Sequence, residues 1–179
     1  MTCQVLPIMR RQHSGISVNV SSAAGRFGSA FLSPYAATKY AIEGLSESLR
    51  FELKAFGVRV KLVEPGHFKS DFLTRNLQWS EHSAYEPQLS NMKAWVAQSS
   101  NGAPDPDEVA KVIYKAATDH SGRLRYLANA RLLLAMHAFL PDLLWHRMIG
   151  AGMNRPPKRV KLKQITKPEK NAATATSKF

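Results

Sequence analysis

Ser22, Tyr35 and Lys39 form the pattern in this chain that points most directly to chemistry. Tyr35 follows Ser22 by 13 residues and Lys39 follows Tyr35 by four, so the phenol and the ammonium share one face of a helix. An unperturbed phenol has a pKa of about 10, which is too high for proton transfer at neutral pH. A nearby ammonium favours the phenolate, and a serine hydroxyl can hold a substrate oxygen. The set therefore suits proton transfer to an oxygen whose carbon gains or loses a hydride.

The residues just before Ser22 predict a β-strand. Apolar and polar residues alternate from about Gly15 to Ser21, which is the strand periodicity. Asn19 is unusual there, because parallel strands covered on both faces are continuously apolar. We expect Asn19 to bond to nearby backbone rather than to take part in catalysis.

A long helix is predicted to carry Tyr35 and Lys39. Ser33 suits its N-cap, Pro34 its first position, and a helix running to Phe56 would stop at Gly57. A stripe of small residues is expected to let this helix pack closely: Ala37, Ala41, Gly44 and Leu45. Its charged residues are expected to be solvated: Glu43, Glu47, Arg50, Glu52 and Lys54.

Further along the chain, the pattern predicts a parallel α/β sheet. A second strand over Val58–Val63 is followed by Pro65 and Gly66, and strand, helix, strand without a hairpin turn indicates a parallel crossover. A helix begins around Pro104–Glu108, and a short third strand covers Arg125–Ala128. Ser22 and the Pro-Gly pair then lie at the carboxyl ends of neighbouring strands, where open α/β sheets bind ligands.

Three segments together resemble the short-chain dehydrogenase/reductase family. Asn19–Gly25 is similar to the family's catalytic-serine segment, Tyr35–Lys39 to its Tyr-x-x-x-Lys motif, and Glu64–Ser70 to its Pro-Gly-x-x-x-Thr segment, with serine replacing threonine. The resemblance covers about residues 1–130. It implies the C-terminal part of a Rossmann-like, doubly wound parallel sheet of about three strands with flanking helices.

The resemblance also implies a role for each motif residue. Tyr35 would be the general acid/base, Lys39 would lower its pKa and hold the nicotinamide ribose, and Ser22 would position the substrate oxygen. The turn after the second strand would hold the nicotinamide of NAD or NADP through Pro65, Gly66, the backbone near Phe68 and the Ser70 hydroxyl. In the family, the region from 71 to 102 is a mobile lid over the substrate.

The family's glycine-rich pyrophosphate turn has no counterpart in this sequence. Gly25 and Gly28 belong to the serine loop, and Gly150 and Gly152 follow no strand. We therefore expect a truncated, C-terminal portion of such an enzyme. The isolated chain is expected to be aggregation-prone and inactive, with no saturable NAD(P)H binding below about millimolar.

Charge and cysteine content exclude some function classes. The formal charge is +12, but the stretch from Arg155 onward holds eight Lys or Arg residues and one acid, so the body is only mildly basic. Cys3 is the single cysteine, which excludes an internal disulfide and a cysteine metal cluster. No metal site is expected, since His67, His82 and Glu86 have no regular ligand spacing.

The C-terminal third predicts two further regions. Residues 131–154 are strongly apolar but interrupted at His137, Pro141 and Asp142, which predicts two short helices hinged at Pro141 and no bilayer span. These helices could cap a lipophilic pocket, lie on a membrane surface, or pack on the body or a partner subunit. Residues 155–179 predict a disordered basic tail.

Three functional interpretations remain open at this level. The first is an NAD(P)-dependent oxidoreductase that interconverts a lipophilic alcohol and a carbonyl. In this interpretation the protein is a cytoplasmic homo-oligomer assembled through the 34–56 helix, and membrane association is a further option. The second is a non-catalytic remnant or subunit-pairing fragment. The third is a membrane or nucleic-acid binder that uses the basic tail, although the body's charge gives no argument for specific nucleic-acid binding.

Overall fold

Three parallel strands form the sheet of the described part of the chain. The computed structural model describes residues 2–70, 72, 79 and 82–154, and the strands in that part pair in the order β1–β2–β3. The strands are β1 Gly15–Val20, β2 Val58–Pro65 and β3 Arg125–Ala128. The helices are α1 Thr2–Gln12, α2 Ser33–Glu52, α3 Gln88–Asn101, α4 Asp107–Thr118, α5 Arg131–Phe139 and α6 Asp142–Asn154. The predicted parallel, Rossmann-like sheet is confirmed.

Helices cover the two faces of the central strand. Val58 and Val60 of β2 pack with Leu53, which follows α2, and with apolar residues of α1. Val63 points to the other face, where it packs with Ala116 of α4. The sheet thus lies between α1 and α2 on one side and α4 on the other, which is the layered arrangement expected for parallel strands.

Strand β1 lies at the edge of the described sheet. It pairs in parallel register with β2, with Gly15 opposite Val58, and within the described residues it has no partner on its other side. The Asn19 amide donates to the Ser46 hydroxyl of α2 over 2.8 Å. The expectation that Asn19 bonds to backbone is therefore wrong: α2 lies against the sheet and brings a side-chain partner within reach.

Helix α2 differs from its prediction in its start and in its buried face. It begins at Ser33 with Leu32 as N-cap, because the Ala36 N–H already reaches the Leu32 carbonyl at 2.8 Å, so Ser33 is not the cap. The predicted packing stripe is exposed, and Ala36, Glu43 and Ser46 are buried instead. The helix is rotated so that the side carrying Lys39 and Ser46 faces β1. The exposed stripe consists of Ala37, Ala41, Gly44 and Leu45.

Three helices towards the C-terminal end complete the described fold. Helix α3 was not predicted, although Leu89, Met92 and Val96, all buried, follow helical spacing. Helices α5 and α6 meet at Pro141, as the sequence predicts, and Trp145 packs against Phe27 in the serine loop. The division of the chain at residues 130 and 154 stays a prediction, and the predicted tail at 155–179 lies outside the described residues.

A buried ion-pair network joins the elements that carry the predicted site. Glu64 of β2 is fully buried, with its carboxylate 2.8 Å from the Arg125 guanidinium of β3 and 3.6 Å from that of Arg26 in the serine loop. Arg125 also lies 3.3 Å from the buried carboxylate of Glu43 and pairs with Glu47, both on α2. The expectation that Glu43 is solvated is therefore wrong, because it compensates Arg125 inside the protein.

Burial of Glu64 favours the protonated form of its carboxyl group. Burial is the main cause that raises the pKa of the Glu64 carboxyl above its ordinary value, and the charge of Glu43 adds to it; the guanidiniums of Arg26 and Arg125 oppose the rise. The pKa of Glu47 moves the other way, because its hydrogen bond with Arg125 favours the carboxylate. The contributions of Glu64 and Glu47 to the free energy of unfolding therefore change with pH in opposite directions.

Gly57 is expected to tolerate no side chain. Its φ is +65°, and a Cβ there would lie 2.5 Å from the His13 carbonyl oxygen. Gly57→Ala should lower the free energy of unfolding by about 1–3 kcal/mol in urea denaturation. Gly44→Ala is the matched control: no heavy atom lies within 4 Å of its added Cβ, and it should be neutral or stabilise by up to about 1 kcal/mol. Equal stability of the two variants would contradict this assignment.

Glu64→Gln should change how stability depends on pH. Because folding raises the Glu64 pKa above its ordinary 4.5, the Glu64 contribution to the free energy of unfolding falls as pH rises from 4.5 through the folded-state pKa. Relative to wild type, Glu64→Gln should therefore gain stability across that window, as measured by urea denaturation at several pH values.

Glu47→Gln provides the control of opposite sign. Its carboxylate is favoured in the folded state, so its contribution is present above the ordinary value of 4.5 and is lost as pH falls through the folded-state pKa. This variant should lose stability relative to wild type as pH rises towards 4.5. The same pH trend in both variants would refute the electrostatic description.

Candidate active site

A single cavity brings together the residues that the sequence nominates. It has a volume of about 710 Å³ and lies at the carboxyl ends of β1 and β2. Each nominated catalytic and cofactor residue lines it: Ser22, Tyr35, Lys39, Pro65, Gly66, Phe68 and Ser70. The strand order and the start of α2 therefore place three segments, distant in sequence, around one volume.

Ser22 is held in place by a short turn that follows β1. Its Oγ accepts a hydrogen bond from the Ala24 N–H over 3.2 Å and caps the 3-10 helix Ala23–Gly25. A hydroxyl has one hydrogen to donate besides its acceptor lone pairs. The Ser22 hydroxyl thus still has its hydrogen to donate to an oxygen in the cavity. The bond to Ala24 fixes the position of the Ser22 Oγ atom.

Tyr35 and Lys39 lie one helical turn apart near the start of α2. The Lys39 ammonium is 5.6 Å from the centre of the Tyr35 ring, and it donates to the Val20 carbonyl over 3.2 Å. That bond ties α2 to the end of β1 and uses one of the three ammonium hydrogens. Burial lowers the pKa of Lys39 from its ordinary value. The Tyr35 ring also packs against Phe72, with ring centres 5.0 Å apart.

The segment after β2 forms another wall of the cavity. Gly66 donates its N–H to the Ala128 carbonyl over 2.8 Å, and a Cβ on Gly66 would lie 2.4 Å from the Asn129 oxygen. Only glycine permits this close approach to the end of β3. Phe68 is buried, and the backbone N–H of Lys69 reaches the Pro104 carbonyl over 3.0 Å. The turn is therefore fixed from both sides.

The remaining walls come from residues that sequence reasoning did not nominate. Helical spacing could have identified those on α3, a segment that the family resemblance implies lies over the substrate, but that resemblance does not single out which of its residues face this cavity. Most are large and apolar: Phe27, Leu32, Phe72, Met92, Trp95, Val96, Val109, Ile113, Leu133, Met148 and Ile149. His67 also lines the cavity, and its Nε2 is buried with no hydrogen-bond partner among the described residues. That nitrogen is available to a polar group of a ligand.

The residues considered for a metal each have other contacts. His67 lies beside the Trp95 ring, His82 Nδ1 accepts from the Ala84 N–H over 3.1 Å, and Glu86 accepts from the Ser90 hydroxyl over 2.6 Å. Within the described residues, no group of three or more His, Cys, Asp or Glu side chains could hold a metal ion. In the same part of the chain, every helix is too short or too polar to cross a membrane.

Comparisons with known proteins agree with this arrangement. The family model for short chain dehydrogenases matches residues 1–81. The uncharacterised oxidoreductase YusZ of Bacillus subtilis is 35% identical over 157 residues, which are 83% of this chain and 56% of the relative. Bovine retinol dehydrogenase 8 is 36% identical over 149 residues, covering 77% of this chain and 48% of the relative.

A solved structure extends the likeness to three dimensions. The short-chain dehydrogenase from Streptomyces avermitilis aligns with a TM-score of 0.61 and 31% identity, over 83% of this chain and 54% of that one. The chain spans about half the length of the curated relatives it matches. The shared sequence and the shared parallel sheet together show that the chain belongs to the short-chain dehydrogenase/reductase family.

Proposed function

We propose that this chain carries the catalytic residues of an NAD(P)-dependent oxidoreductase that interconverts an alcohol and a carbonyl. The observation that carries the proposal is the convergence of Ser22, Tyr35 and Lys39 with the Pro65–Ser70 segment on one cavity. Membership of the family supports the same reaction class, since the family's members use NAD(P). Because the chain spans about half the length of its relatives, the activity itself is part of this proposal.

Each of the three residues has a distinct task in this proposal. Tyr35 exchanges a proton with the substrate oxygen, donating it when a carbonyl is reduced and accepting it when an alcohol is oxidised. Lys39, held near the Tyr35 ring by the Val20 carbonyl, places its positive charge beside the phenol that exchanges the proton. Ser22 donates its hydroxyl hydrogen to the same substrate oxygen and thereby orients the reacting carbon.

The residues present fit the nicotinamide end of a dinucleotide. Such a group supplies or accepts the hydride. The cavity volume of about 710 Å³ lies within the usual range for ligand pockets, about 300–1,000 Å³. Lys39 retains ammonium hydrogens for the ribose hydroxyls, and the unpartnered Nε2 of His67 offers a polar contact. Pro65, Gly66, Phe68 and Ser70 form the wall that would hold the nicotinamide ring and its amide.

A lipophilic substrate suits the composition of the cavity. The walls supplied by α3, α5 and α6 are apolar, including Met92, Trp95, Leu133 and Met148. Burying an apolar substrate surface there contributes about 25 cal/mol per Å². The name of one relative, retinol dehydrogenase 8, refers to a lipophilic alcohol, and we extend that substrate class to this chain.

Two exposed surfaces support proposals about assembly and location. The exposed face of α2, with Tyr40, Leu45 and the adjacent Phe51, suits a homo-oligomer contact through this helix. Phe139 and Leu143 expose apolar surface on α5 and α6, which suits contact with a membrane surface by a cytoplasmic protein.

Tyr35→Phe tests the assignment of the proton donor. The experiment uses this chain supplied with the family's glycine-rich cofactor-binding half, with NADH and NADPH and a panel of lipophilic ketones. Removal of the hydroxyl should lower kcat by at least about a hundredfold, or about 2.7 kcal/mol, with little effect on cofactor affinity. Lys39→Ala should weaken both kcat and cofactor binding.

The matched control is Tyr40→Phe, which removes a phenol hydroxyl from an exposed position of the same helix. It should leave kcat unchanged. If Tyr35→Phe kept more than about a tenth of the wild-type rate, less than about 1.4 kcal/mol would be lost and Tyr35 would not be the general acid.

A further inference from the structure

A second cavity lies at the opposite end of the sheet from the candidate active site, where β2 begins. It has a volume of about 420 Å³ and is bounded by the end of α2, the first residues of β2 and the loop before β3. Among the described residues that line it there is no carboxylate, and five are cationic: Arg50, Lys54, Arg59, Lys61 and Arg123. This is a concave surface of a single charge sign.

The two arginines nearest the strand start retain unused donors. Arg50 donates one N–H to the Gly122 carbonyl over 3.0 Å, and Arg59 contacts the His120 carbonyl at 3.4 Å and the His120 ring nitrogen at 2.8 Å. A guanidinium has five N–H groups, so both side chains have donors left. The Nε of Arg59 is buried with no hydrogen-bond partner among the described residues. An unpaired buried N–H is costly unless a ligand or water accepts from it.

Lys61 places a further charge at the base of this cavity. It is buried, and its ammonium donates to the Ser121 carbonyl over 2.6 Å, to the Arg123 carbonyl over 2.9 Å and to the Tyr126 hydroxyl over 3.1 Å. These carbonyls are neutral, so the hydrogen bonds orient the ammonium without cancelling its charge. Burial lowers the pKa of Lys61, and the charge of Asp119 opposes this shift.

The nearby carboxylate of Asp119 is already engaged. It accepts hydrogen bonds from the Tyr126 hydroxyl and from the backbone N–H and hydroxyl of Ser121, and these bonds hold its pKa well below the ordinary value. The guanidiniums of Arg59, Arg50 and Arg123 also act on Lys61, each disfavouring its ammonium. Asp119 therefore stays ionised and offsets part of the positive charge, but it does not line the cavity, whose lining holds five cationic side chains and no carboxylate among the described residues.

We propose that this second cavity binds a small phosphorylated molecule through a multiply charged phosphoryl group. Guanidinium groups bind phosphate oxygens in pairs, and adjacent cations on one concave wall favour an anion with more than one charge. The concave shape and the 420 Å³ volume suit a small molecule rather than an extended polymer or a flat lipid surface. The site is separate from the cofactor cavity and does not depend on the reaction proposed there.

Inorganic pyrophosphate is the probe for this site. Calorimetric titration of the full chain at constant ionic strength should show saturable binding. Lys54→Gln and Arg50→Gln, both at exposed positions of the rim, should each raise Kd by at least about tenfold. Lys115→Gln, which removes a charge from an exposed position on α4 outside the cavity, should leave Kd within about twofold.

Two further measurements separate this site from other sources of binding. Lys69→Gln changes a cation that lines the larger cavity, and a rise in Kd with this variant alone would place the anion there and overturn the proposal. Vesicles with phosphatidic acid present the same phosphoryl chemistry on a lipid surface. Vesicle binding that is lost in Lys54→Gln and Arg50→Gln, together with no saturable binding of free pyrophosphate by wild type, would assign the surface to a lipid headgroup and overturn the proposal. Absence of saturable pyrophosphate binding by wild type would by itself also overturn it.

Discussion

The buried pairing of Glu64 with Arg125 is the interaction on which the candidate active site depends. A carboxylate with no exposed surface is tolerable only when an opposing charge or a proton compensates it. Arg125 supplies the charge from β3, Arg26 approaches from the serine loop, and Glu43 closes the network from α2. The three segments that line the cavity are therefore linked through one electrostatic network.

Steric contacts act on the same segments as the charges. A Cβ on Gly25 would lie 3.0 Å from a carbon of Glu43 and 2.7 Å from the Ser21 hydroxyl oxygen, so the serine loop contacts α2 directly. Gly66 makes the corresponding close approach to Asn129 at the end of β3. Close packing and ion pairing thus fix the serine loop and the turn after β2 relative to each other, which is the preorganisation that a positioned hydroxyl and ammonium require.

Local pattern was sufficient to predict the strands, whereas the site residues were nominated largely by the resemblance to the family, and the structure brings them to one cavity. Alternation before Ser22, the run at Val58–Val63 and the short third strand identify the sheet, because strand periodicity is visible over a few residues. The buried face of α2 was mispredicted because Ala37 and Gly44 resemble packing residues, whereas Glu43 is buried only because Arg125, 82 positions later, lies opposite it. Such a pair cannot be recognised from local sequence, since neither partner signals burial by itself. The residue roles themselves stay predictions.

Lys61 gives the molecule a chemical indicator of its own folding. An amine must be accessible and unprotonated to react with acylating reagents, and Lys61 is 1% exposed with its hydrogens directed to two carbonyls and the Tyr126 hydroxyl. Exposed lysines such as Lys54 and Lys111 are accessible in the folded and unfolded chain alike. The extent of acylation at Lys61 relative to these two lysines thus reports whether β2 and the loop before β3 are folded around Lys61. This measurement needs no assay of function.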